Sequence, residues 1–264
     1  MTRRTWICLI AVALIPMAVS AQEAVCPSKD EILEHLSGID PARGSRTTRF
    51  NAPVPTELYE EAAAKTGQSV AARDGKTVWG VLVTDHPVEI IWKALNDEDH
   101  HVLDGVEYVP VKHSEVIDGT PRGESRVLFQ YYKKAGIGRW WVSRVEMNGE
   151  LFKSSDGAIW ELYWGDVVDS IDPTQPPMNE VSSDLKALED SYGAWFIVPI
   201  NGNCTLIEYY NYTEPGGYVG FGQALLAKKS VRETLDGIIR LADEHLCDPH
   251  PDVVFVRPDG TPID

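Results

Sequence analysis

The stretch from Gly217 to Leu246 constrains the fold more than any other part of the chain. Ala224, Ala227, Val231, Leu235, Ile238, Ala242 and Leu246 recur in steps of three and four, the spacing that lines one side of an α-helix. Arg232, Asp236, Arg240 and Glu244 alternate in sign at intervals of four, as on a solvated helix face. Roughly thirty residues at about 1.5 Å of rise make a rod of about 45 Å, long enough to cross a whole sheet. A helix of that length with one apolar stripe needs a broad apolar surface to lie on. The segments between Thr77 and Tyr212, which read mostly as strands, supply it.

The amino terminus reads as an export signal. Arg3 and Arg4 precede an apolar run from Trp6 to Val19, and Val19-Ser20-Ala21 offers a small-residue cleavage site. The run is too short for a good membrane span. Residues 1–21 are therefore expected to be removed, leaving a periplasmic or secreted protein. Loss of Arg3 and Arg4 takes the formal charge from −16 to −18. So acidic a chain, with no basic run, suits neither nucleic acid nor anionic headgroups. No nucleic-acid partner is expected, and any membrane contact would be transient. Cys8 leaves with the signal, so Cys26, Cys204 and Cys247 remain, and an oxidising compartment favours one pair. Cys26 with Cys247 would staple the amino-terminal extension to the end of the long helix; Cys204 with Cys247 competes.

In chain order, Ser28 to Glu31 forms a capping box ahead of Ile32, Leu33 and Leu36, with Gly38 as the expected stop. A second short helix is expected over Thr56–Lys65, ended by Gly67. Residues 22–74 thus read as a helical extension too small for a core of its own. From Thr77 the texture changes. Val78–Val83 reads as a strand that leads through Asp85-His86-Pro87 into a helix ending near Asn96. Further strands are expected at 106–117, 124–133, 138–147, 158–164, 194–200 and 204–212, with turn pairs such as Asn148-Gly149 that require antiparallel neighbours. Residues 167–193, with three prolines and a short helix near 183–189, read as an insertion at the sheet rim. The Pro-rich tail 248–264 is expected to lie extended on the surface. An antiparallel sheet with helices segregated on one face is an α+β layout.

Three features in this order resemble the START-like helix-grip superfamily, which includes lipid-transfer START domains, polyketide cyclases and pollen-allergen-like proteins. The first is Thr84–Asp97, where Ile91-Trp92 is followed by Leu95 and Asp97; the second is the Arg-rich meander segment Arg139-Trp140-Trp141-Val142-Ser143-Arg144; the third is the terminal helix. The likeness spans about residues 75–247. It leaves out the extension, the 167–193 insertion and the tail. It implies a curved antiparallel sheet wrapped around the long carboxy-terminal helix with an apolar cavity between them. It implies, too, a hydrophobic occupant (a lipid or a sterol-like molecule), no cofactor and a monomer.

Candidate ligand contacts come from strand aromatics and from polar residues that interrupt apolar strands. They are Phe129, Tyr131, Trp141, Arg144, Trp160, Glu161, Glu208 and Tyr209, joined by Phe221 and Leu225 at the start of the terminal helix. Aromatic rings with one polar handle suit a wall that must be apolar yet orient a ligand. Strand alternation leaves each of them open between the cavity and the outer sheet face. An inward Arg144 would need a partner, and Glu161 or Glu208 could supply it. Gly220 and Gly222 either permit close approach to a ligand or belong to a loop, the helix then beginning at Gln223.

Asp97-Glu98-Asp99-His100-His101 has the composition of a metal site without its spacing, and reads as a solvated acidic loop. His86 reads as a cap or turn residue. His113 and Glu115 share one face of an exposed strand. With no phosphate loop, dinucleotide glycine pattern, Gly-x-Ser-x-Gly or CxxC, no catalytic, cofactor or metal residue is assigned. The leading expectation is an exported protein that transports or sequesters a lipid. A cyclase- or hydrolase-type enzyme drawing on Arg144, Glu161, Glu208 or His113 is the alternative, and a non-catalytic interaction module with a filled core the third.

Overall fold

The computed structural model describes residues 26–43, 45–46, 54–73, 75–103, 106–134, 137–181, 184–214, 223–247 and 253–263. The expected signal segment and Phe221 lie outside them.

Helices α1 (Lys29–Arg43) and α2 (Thr56–Lys65) precede strands β1 (Gln68–Ala72) and β2 (Thr77–Thr84), then helix α3 (Val88–Leu95). After a single 3-10 turn at Glu98–His100 and the small hairpin β3 (Val102–Leu103) and β4 (Val106–Glu107) come β5 (His113–Gly119), β6 (Ser125–Lys134) and β7 (Ile137–Met147). Helix α4 (Gly149–Ser154), β8 (Trp160–Asp166), helix α5 (Met178–Val181) and β9 (Lys186–Ala187) lead to β10 (Asp190–Asn201) and β11 (Cys204–Glu214). The long helix α6 (Gln223–Cys247) and a terminal hairpin, β12 (Phe255–Val256) and β13 (Pro262–Ile263), complete the order.

One sheet runs β1-β2-β11-β10-β8-β7-β6-β5, antiparallel throughout, with β9 added parallel to β7. Helix α6 lies on its inner face, where Val231, Leu235, Ile238 and Ala242 are buried as their spacing predicts. Leu246, counted with that stripe, is exposed instead, and Leu241 takes the buried place. The described helix begins at Gln223.

The outer face is not left to solvent. Helices α1 and α2 cover it over β2, β11 and β10, where Ile32, Leu36, Leu58 and Ala62 pack on Val81, Phe196, Val198 and Leu206. Over β6 and β7 the 167–188 segment does the same, setting Met178 and Leu185 against Val127, Phe129, Trp140 and Val142. Burial on both faces explains why β2 is buried at every position and why the strands read as near-continuous apolar runs rather than clean alternation.

Several expectations need correction. The capping box is formed, with Ser28 Oγ donating to Glu31 Oε2 (2.6 Å), but α1 runs through Gly38 to Arg43. Thr66, not Gly67, takes the left-handed turn after α2 (φ 43°). The extension expected to be wholly helical carries β1, which pairs with β2. Asn148-Gly149 caps a short helix instead of closing a hairpin, Asn148 Oδ1 accepting from the Leu151 N–H (3.0 Å). The insertion's helix lies at Met178–Val181. The tail is not draped on the surface: Phe255 and Ile263 enter the main core, and the Trp92 indole donates to the Val256 carbonyl (2.8 Å).

Neither expected disulfide forms; Cys26 is bonded to Cys204, with Cα atoms 5.2 Å apart. The reason is which side of the sheet each residue occupies. Cys204 belongs to the outer-face cluster under the extension, whereas α6, which carries Cys247, packs on the inner face.

Candidate functional site

Between α6 and the inner face lies a cavity of about 430 Å³, within the usual range for ligand sites. The described side chains leave it unfilled, against the expectation of a module whose own aromatics close its core. Strand parity decides its wall. On β6, Leu128, Gln130 and Tyr132 face inward; on β7, Trp141, Ser143 and Val145; on β8, Leu162 and Trp164; on β10 and β11, Trp195 and Tyr209. Val231 and Ile238 of α6 close the other side. The outer end is bordered by Lys76, Arg139, Leu226 and Lys229, and Leu226 is 58% exposed.

Five indole and phenol rings, those of Tyr132, Trp141, Trp164, Trp195 and Tyr209, dominate the wall. Tyr209 packs on Trp195 (centroids 4.2 Å apart) and on Trp164 (5.8 Å). The Trp164 indole lies over Gly193, where any Cβ would overlap it. Trp141 Nε1 donates to Gln130 Oε1 (3.2 Å), and Gln130 Nε2 donates to Ser114 Oγ (3.1 Å). Burial raises the Tyr209 pKa, so the hydroxyl stays neutral.

The inner end is polar, and this is where the acidic run after α3 must be read again. Asp97, Glu98 and His101 are buried, not solvated. Asp97 receives Arg122 Nη2 (2.6 Å), His100 Nδ1 (2.6 Å) and His245 Nε2 of α6 (3.1 Å). Burial alone would raise its pKa, but the hydrogen bonds from His245, Arg122 and His100 outweigh it and hold the carboxyl well below the usual range. Glu98 pairs with Arg126, which is completely buried. Arg126 sits on the inward parity of β6, two residues before Leu128; that parity and the need of a buried cation for a carboxylate are the signals that could have marked it. Among the described residues no group of three or more His, Cys, Asp or Glu is arranged to hold a metal ion.

The sequence-predicted contacts divide. Trp141 and Tyr209 line the cavity. Trp160 is inward but buried in the core beside Trp92 (5.4 Å) rather than on the cavity wall. Phe129 and Tyr131 face outward into the cluster under the insertion, and Leu225 is 71% exposed. Arg144 is exposed and pairs with neither carboxylate proposed for it. Glu161 and Glu208 are buried on the outer face: Asn148 Nδ2 donates to Glu161 (2.7 Å), and Arg46 lies 3.5 Å from Glu208 and over the Phe196 ring (4.5 Å). A one-residue change of parity moves a side chain through the sheet, and Phe129, Tyr131, Arg144, Glu161 and Glu208 fell on the outer side of that choice. His113 and Glu115 form an exposed pair on the edge strand β5 (3.1 Å). None of the four acid–base candidates therefore reaches the cavity. His86 ties the turn before α3 to α6, bridging Thr84 Oγ1 (2.7 Å) and Asp243 (3.0 Å).

The loop between α3 and β5 runs from the inner end of the cavity along α6 to the rim. His101, Val109, Pro110 and Val111 line the cavity, and Tyr108 donates to Glu244 of α6. The Tyr108 carbonyl sits so close to Gly237 that a Cβ there would overlap it. Arg240 Nη2 donates to the same carbonyl (3.2 Å). The helix side expected to be solvated is in part the seat of this loop.

The fold is shared with solved structures. Human STARD10 aligns with 15% identity over 76% of this chain and 86% of its own, at a TM-score of 0.50. A STAR-related lipid transfer protein from Xanthomonas axonopodis (18% identity, 69% of this chain and 94% of that one, TM-score 0.48) and the Zhui aromatase/cyclase from Streptomyces sp. R1128 (12%, 65% and 95%, 0.44) also align. No family model and no curated protein matches the sequence. The chain has the START-like helix-grip fold.

Proposed function

We propose that this chain is an exported binding protein that holds a hydrophobic small molecule of the lipid class between its sheet and α6, for transport or sequestration. One observation carries the reading: a cavity of about 430 Å³ whose wall is mainly Trp, Tyr, Leu and Val, with charged side chains such as Glu98, Lys76 and Lys229 among its lining. Keeping such a wall unfilled costs packing energy. An apolar occupant recovers it, at roughly 25 cal/mol per Å² of apolar surface removed from water. The exposed Leu225 and Leu226 at the outer end of α6 are suited to brief contact with a donor or acceptor membrane, and the α3–β5 loop is the element that would move to admit the ligand.

The test is occupancy. Purified protein analysed by native mass spectrometry should carry an extractable apolar species or take up Nile red. Ser143→Phe should abolish both while keeping the fold, because the Ser143 hydroxyl is buried with no hydrogen-bond partner among the described residues and an apolar replacement forfeits little. Protein that neither carries a ligand nor takes up the dye would sink the proposal.

A further inference from the structure

The main sheet ends in two edges of opposite character, β5 and β1. β5 is guarded as edge strands usually are: Glu115 and Asp118 put charge along it, and a bulge breaks its register between Val116 and Asp118. β1, Gln68-Ser69-Val70-Ala71-Ala72, has no charged residue, no proline and no break in its register with β2.

Which main-chain groups β1 leaves open follows from the two hydrogen bonds that bracket it. The Val83 N–H donates to the Gly67 carbonyl (3.2 Å), and the Arg73 N–H donates to the Thr77 carbonyl (2.9 Å). Residues that bond across an antiparallel pair alternate along the strand, so Ser69 and Ala71 also turn their main-chain groups toward β2. Gln68, Val70 and Ala72 turn theirs away from the sheet. No described residue bonds to these outward N–H and C=O groups.

We infer that β1 pairs with β1 of a second copy of this chain, antiparallel about a twofold axis through Val70, in place of the monomer that the fold likeness implied. In that register Val70 meets the partner's Val70, and Gln68 meets the partner's Ala72. Every outward N–H then finds an outward C=O. The same axis matches charge above the strand. Helix α6 runs opposite to β1: Lys229 and Lys76 both border the outer end of the cavity, while Asp236 accepts from Gln68 Nε2 (2.5 Å) at the start of β1. Arg232 lies one turn before Asp236 on the same side of α6, and both are exposed. A twofold reverses that order, so Arg232 faces the partner's Asp236 and Asp236 the partner's Arg232. A strand and a charge pair that are both self-complementary suit a second copy better than an unrelated chain.

Sedimentation velocity on the full chain should show a monomer giving way to a species of twice the mass as concentration rises. Ala72→Pro removes one outward N–H and leaves the β1–β2 bonds intact. It should weaken association about thirtyfold, because each dimer loses two hydrogen bonds. Arg232→Asp should weaken it about fivefold, and combining Arg232→Asp with Asp236→Arg should restore it. Those positions are exposed, so the charge pair decides the matter should Ala72→Pro disturb the far-UV circular dichroism. A single monomer mass at every concentration, or a dimer indifferent to these variants, would overturn the proposal. Neither result bears on the cavity as a binding site.

Discussion

At the scale of single residues, the energetics concentrate where the acidic run after α3 goes underground. Asp97 is held by groups from three places: Arg122 before β6, His245 on α6 and its own neighbour His100. Because its folded-state pKa is depressed, its contribution is fully present above the unfolded value of about 3.9 and is lost as pH falls from there toward the folded value. Asp97→Asn should cost about 3–5 kcal/mol at neutral pH, as the loss of one partner from a buried ionic cluster does. It should also flatten the acid limb of stability; urea midpoints measured from pH 3 to pH 7 check both. Gly237 is the second such residue. Gly237→Ala cannot be accommodated without displacing the Tyr108 backbone, so thermal melts should show a loss of about 1–3 kcal/mol, and ligand exchange should quicken as the rim loop lifts.

Elements behave less independently than their sequences suggest. The terminal hairpin brings Phe255 under the Arg122 guanidinium (5.5 Å) and against His245 (5.5 Å), so Phe255→Ala should cost about 3–5 kcal/mol in urea unfolding. A surface-bound tail would show almost nothing. The amino-terminal extension is pinned at one end by the Cys26–Cys204 bond and across its middle by the α1 and α2 contacts with β2, β11 and β10. Cys26→Ser should lower stability by about 2–5 kcal/mol and open the chain around α1 to limited proteolysis before the sheet is cut.

For the whole molecule, a single sheet separates an inner core that contains the cavity from two outer cores under the extension and the insertion. Because each outer core is built on strands whose other face belongs to the inner core, loss of the sheet removes all three together. Far-UV circular dichroism and tryptophan fluorescence should therefore report one coincident unfolding transition. A separate early transition for the extension would contradict that coupling.

Much of this was legible in one dimension. The periodic stripe of α6, the capping box at Ser28, the α2 span and the strands β2, β6, β7, β8, β10 and β11 follow from spacing and turn chemistry, which act over a few residues and need no knowledge of what lies opposite; the single strand expected over 106–117 is instead split between β4 and β5. The aromatic richness of the strands and the apolar cavity that the fold likeness implies were equally open to view. What the linear order could not decide was which face of each strand looks inward. Phe129 and Leu128 are equally apolar, and only the register across β5, β6 and β7, with a helix on one side and an insertion on the other, separates them. The same holds for Cys204 and for Glu98. Their partners, Cys26 and Arg126, lie 178 and 28 residues away in sequence, and burial of a thiol or a carboxylate is settled by long-range packing that leaves no periodic trace.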